Sequence, residues 1–129
     1  MKTWLIVVTT VASLLIPVQF AEAISAGAVD FREGSTGLSW NYHKASAAKK
    51  RAIQEVSEAG GTNIQVVFTS RAIGFTGIGF GRSASGRGLV AYGSGFHGRS
   101  SLKSGLMRKL RSIGATHGIY TLIGRNTHN

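Results

Sequence analysis

Cysteine is absent from this 129-residue chain, which excludes disulfides, thiolate nucleophiles and cysteine-based metal sites. Its stability has to come from packing. Proline occurs once, at Pro17, where it breaks the one long apolar run. Carboxylates are scarce as well: after residue 23 there are four, Asp30, Glu33, Glu55 and Glu58, and none follows Glu58. From Ile73 onward the eight positive side chains are Arg82, Arg87, Arg99, Lys103, Arg108, Lys109, Arg111 and Arg125. A field so one-sided favours anionic partners, and screening within about 8 Å at physiological salt makes such contact salt-sensitive. No G-x-S-x-G elbow occurs, so serine hydrolysis has no support.

The N-terminus reads as an export signal. Lys2 supplies a positive start, Trp4 to Ile16 an apolar stretch, and Ala21-Glu22-Ala23 places small residues at the −3 and −1 positions of a cleavage site. The stretch is shorter than the roughly 20 residues that span a bilayer. Residues 1–23 are therefore expected to be removed after export to the periplasm or the medium. Residues 24–129 should form one domain with no transmembrane segment and a formal charge of +10.

Within residues 24–129 the second half repeats the first. Ala28 to Tyr42 aligns with Gly79 to Gly93 at an offset of 51, placing Gly37-Leu38 on Gly88-Leu89. Beyond a loop the offset becomes 54, and Ala48, Ala52, Ile53, Val56 and Ala59 match Leu102, Leu106, Met107, Leu110 and Ile113. That spacing puts the apolar positions on one side of a helix in each half. Ser46 and Ser100 or Ser101 are candidate N-caps, and Gly60 and Gly114 suit left-handed C-terminal turns. Two short strand-like runs precede each helix and one follows it, Ile64 to Thr69 and Ile119 to Ile123. The expected fold is α+β: two β-β-α-β repeats, 24–72 and 73–129, forming one mainly antiparallel sheet with both helices packed on one face.

The first repeat reads Ala48-x-x-x-Ala52-Ile53-x-x-Val56, then Gly60-Gly61-x-x-Ile64-x-Val66-Val67. It resembles a family of small exported bacterial domains of unknown function, whose duplicated units carry A-x-x-x-A-L-x-x-C followed by G-G-x-x-C-x-V-V. Val56 and Ile64 stand where that family has a cysteine pair, and Leu110 and Gly118 stand there in the second repeat. The resemblance implies the duplicated fold and an exported address, and brings no catalytic residue with it. Packing Val56 against Ile64 is a physically sensible replacement for a bridge.

Several motifs invite chemistry. Gly79-x-Gly81-x-x-Ala84 has the form of a dinucleotide fingerprint, but a strand-like run, Leu89 to Tyr92, follows where a helix would have to open. Gly81-x-x-x-x-Gly86 lacks the Lys and Ser/Thr of a phosphate loop, so a hairpin turn is the better reading. Arg82 and Arg87 flank that turn, and its free N–H groups could join their guanidiniums in holding a phosphate or carboxylate.

Arg99, Lys103, Arg108 and Arg111 extend the anion-binding candidates along the second helix. Trp40 and Tyr42 share a strand face with Leu38, as core or, beside Arg32 or Lys44, as a stacking surface. No histidine pair has a metal-ligand spacing, and no metal or cofactor is called for. His43 and His97 both precede a helix and are the candidates for acid/base catalysis, with Asp30 or Glu33 to orient one of them.

The expected role is a binding module without catalysis. Its partner would be an envelope polymer, anionic lipid headgroups, nucleic acid or an acidic protein. The alternatives are a small secreted hydrolase of a phosphate-bearing polymer that uses a histidine, and an inhibitor or immunity-like protein that plugs an acidic cleft.

Overall fold

The computed structural model describes residues 22–127, and the expected signal peptide thus falls outside the described residues except for Glu22 and Ala23. The order of elements is β1 (Ile24–Asp30), β2 (Ser35–Tyr42), α1 (Ala45–Glu58), β3 (Gln65–Ser70), β4 (Gly74–Ser83), β5 (Gly88–Phe96), α2 (Arg99–Ser112) and β6 (Ala115–Asn126). The fold is α+β and reads β-β-α-β twice, with the two helices 54 residues apart.

The strands form two three-stranded antiparallel sheets, ordered β2-β1-β3 and β5-β4-β6, where the sequence suggested one sheet. The cause lies in the crossover. Each helix carries the chain back over its own first strand, so β3 takes the free edge of β1 and β6 that of β4. Both edges of each central strand are then used within its own unit, and no outer strand of one sheet pairs with an outer strand of the other.

The units meet by their faces. All seven residues of β1 are buried, as are Thr76 to Gly81 in β4, which marks strands covered on both sides. Ile24, Ala26 and Ala28 pack with Ala48, Ala52 and Val56 of α1, while Ser25 and Gly27 face the second sheet. In β4, Gly77, Gly79 and Gly81 turn towards α2 and the residues packed around it, and Thr76 and Ile78 look back at the first sheet. The result is four layers: α1, sheet, sheet, α2. At its centre Ser25 Oγ and Thr76 Oγ1 share a fully buried hydrogen bond of 3.1 Å.

Close approach explains some of the small residues. A Cβ on Gly37 would run into the Ala52 carbonyl of α1, and one on Gly124 would run into the Trp40 ring. Among the expected apolar helix positions, Ala48, Ala52, Val56, Leu102, Leu106 and Leu110 are buried, whereas Ile53, Ala59 and Ile113 are exposed. Ile64 packs against the cluster that contains Val56.

The N-caps are Lys44 and Gly98, with no side-chain cap bond; the candidate serines lie inside the first turns. Gly60 and Gly114 do adopt positive φ, 97° and 112°.

Asn126 ties the chain together. Its Nδ2 donates to Ala23 O at 3.0 Å and to Ala72 O at 3.2 Å, and its Oδ1 accepts from Asn41 N at 2.8 Å. Asn41 sits at φ 64°, a left-handed conformation that Asn tolerates better than most residues, and its Oδ1 accepts from Thr127 N. Ala23, at the expected cleavage site, is buried. Among the described residues no helix is long and apolar enough to cross a membrane.

Candidate binding cleft

The two hairpins, 31–34 between β1 and β2 and 84–87 between β4 and β5, end at the same place. Between them lies a wide-mouthed cleft of about 680 Å³. Arg32 enters it from the first hairpin, and Arg82 and Arg87 from the second. Phe31, Leu89, Val90 and Ile113 supply apolar lining.

Asp30 builds the first hairpin. Its Oδ1 accepts from the backbone N–H of Arg32 and Glu33 at 2.9 and 3.0 Å, and its Oδ2 from Thr62 and Asn63 at 2.8 and 3.0 Å. These bonds favour the carboxylate, that of Asn63 most and then those of Glu33 and Thr62, with burial opposing. The pKa falls from 3.8 to about 2. Asp30 is thus committed to the backbone and orients no histidine, contrary to one expectation from sequence.

The second hairpin closes on itself. Ser83 N donates to Arg87 O at 2.9 Å, Gly86 N to Ser83 O at 2.9 Å, and Arg87 N to Ser83 Oγ at 3.1 Å. Gly86 turns with φ 90°, where a Cβ would be strained. The amides of Gly86 and Arg87, two of the turn N–H groups that the sequence suggests as anion donors, are consumed inside the turn. Neither of these two amides is free to meet an anion.

Arg82 is the strut between the hairpins. Its guanidinium lies over the Phe80 ring, 5.2 Å from the centroid. Nη1 donates to Gly86 O in its own hairpin at 3.1 Å, and Nη2 to Arg32 O in the other at 3.0 Å. Arg32 and Arg87 are exposed, and the ion pairs among the described residues, Arg51–Glu55 and Arg71–Glu22, involve neither.

The remaining candidates lie elsewhere. Arg99, Lys103, Arg108 and Arg111 are exposed on α2 and do not line the cleft. Arg99 sits over the Phe75 ring at 5.7 Å, and Lys109 and Arg111 in the last turn complement the negative end of the helix dipole.

Trp40 and Tyr42 do not share a face. The register of β2 against β1 slips between Ile24 and Ala26, with Asn41 left-handed. Trp40 consequently packs on Gly124 of β6, while Tyr42 is turned to the α1 cluster. They form no stacking pair.

His43 Nδ1 lies 3.1 Å from Glu22 O, His97 is exposed, and neither lines the cleft. Among the described residues no three His, Asp or Glu side chains are grouped to hold a metal.

The sequence points to Arg82 and Arg87 but not to Arg32, Phe31 or Ile113 as their companions. Arg32 and Ser83 share a place at the 51-residue offset, which was the available hint that the two hairpins are counterparts. No family model, curated protein or solved structure matches the chain.

Proposed function

We propose that the protein is an exported binding module that holds an anionic partner in the cleft between its two hairpins. The observation that carries this reading is the convergence of Arg32, Arg82 and Arg87 on one concavity, with no carboxylate paired to any of them among the described residues. Guanidinium forks match phosphate and carboxylate oxygens in pairs, and Arg82 holds the hairpins in register without occupying the other two heads. The basic field of the second half draws the anion in, and the cleft selects it. Export follows from the Lys2, apolar and Ala21-Glu22-Ala23 pattern.

The test compares two pairs of arginines of equal charge. On heparin resin the protein should bind at low salt and elute below roughly 0.5 M, as a screened contact does. Arg32→Gln with Arg87→Gln should lower the elution salt far more than Arg108→Gln with Arg111→Gln. Equal losses from both pairs would mean generic surface charge and would sink the cleft as the site.

A further inference from the structure

The cleft is lined by both cationic and apolar side chains. Arg32 and Arg87 reach it from opposite hairpins, and Val90 of β5 and Ile113 just beyond α2 line it with them. Ile113 is 42% exposed although its place in the helix pattern marks it as core. A bare inorganic anion is a poor match to such a surface. The Gly86 and Arg87 amides are consumed within the hairpin, so an ion resting against the aliphatic lining would lose water there without gaining either of them as a donor.

A ligand with one charged end and one apolar end meets both surfaces. Resting on the reading of the cleft as an anion site, we propose that it takes an anionic amphiphile: a phosphate or carboxylate carried on a short alkyl or aryl chain. The head sits between the guanidiniums of Arg32 and Arg87, and the chain lies on Val90 and Ile113. Arg82 is a positioning residue, its fork held by Gly86 O and Arg32 O. The volume of about 680 Å³ falls within the roughly 300–1,000 Å³ of small-ligand sites. Other exposed large apolar side chains, among them Trp40, Tyr92 and Phe96, do not line the cleft. Among the described residues the mouth thus has no apolar apron for entering a bilayer, and the proposed ligand is a free molecule.

Calorimetric titration of the purified protein at low salt tests this with phosphate and with butyl, hexyl and octyl phosphate below their micelle concentrations. Affinity should rise about two- to fourfold per added methylene over the first carbons. Octyltrimethylammonium, with the same chain and the opposite charge, should not bind. Arg87→Gln should weaken every phosphate about tenfold or more. Ile113→Ser should flatten the dependence on chain length and leave phosphate itself unchanged.

A flat alkyl series, or an unaltered slope in Ile113→Ser, overturns the amphiphile while leaving the anion site standing. No binding of any phosphate or of heparin removes both. Binding to vesicles of anionic phospholipid with none of the soluble series would assign the cleft to a membrane surface instead.

Discussion

Asp30 gathers four backbone N–H groups, two from the first hairpin and two from the segment after α1. Its pKa is therefore lower in the folded chain, about 2 against an ordinary 3.8. A carboxylate with a depressed pKa contributes stability that is complete above its unfolded value and is lost as pH falls through the folded one. The melting temperature should accordingly drop between about pH 4 and pH 2, beyond what the other acids produce. Asp30→Asn should melt lower at neutral pH, because the amide turns an NH2 group towards donors, and should show a shallower acid limb. A variant that keeps the full limb would mean that another group carries it. Nothing in the sequence around Asp30 announces this role, since two of the four donors are more than thirty residues downstream.

The two helix–strand interfaces solve one packing problem with opposite choices. In the first unit Ala26 and Ala28 of β1 meet Ala48, Ala52 and Val56; in the second, Gly77 and Gly79 of β4 lie beneath Leu102, Leu106 and Leu110. Larger helix residues are balanced by absent strand side chains, as dense packing demands. Leu110→Ala should cost about 2–5 kcal/mol in chemical denaturation. Adding Gly79→Ala to it should recover part of that loss, because the new Cβ, 3.0 Å from Leu110 Cδ1 in the native chain, would enter the space that this side chain vacates. Additive costs in this cycle would deny the complementarity.

At this scale the sequence was largely legible. The 3.6-residue period located both helices, and the positions at spacings of 0, 4 and 8 are the buried ones. Ile53, Ala59 and Ile113 are exposed despite their place in the period, because periodicity gives the direction of an apolar face and not its width. Tyr42 was misplaced because a single left-handed residue, Asn41, reverses the alternation on which a strand reading depends.

Two stacked sheets are harder to read than two helices, since a strand's hydrogen-bond partner leaves no mark in its own sequence. What does leave a mark is burial on both sides. The uninterrupted small and apolar runs at 24–29 and 76–81 are its signature, and they argue for stacking over a single half-exposed sheet. The cleft was half legible for a related reason: the glycine-rich turn advertised Arg82 and Arg87, while Arg32 and Ile113 arrive from other elements.

Asn126 binds Ala23 and Ala72 with one amide group, so the beginning of β1, the end of β6 and the junction between the units all meet at one point. The order in which the two units are translated should then not matter to the fold. Joining residue 127 to residue 22 through a short Gly/Ser linker and opening the chain between Ala72 and Ile73 should give a circular permutant with the native circular dichroism spectrum and a cooperative melt. An unfolded permutant would show that the order of synthesis, and not the meeting of the faces alone, directs assembly.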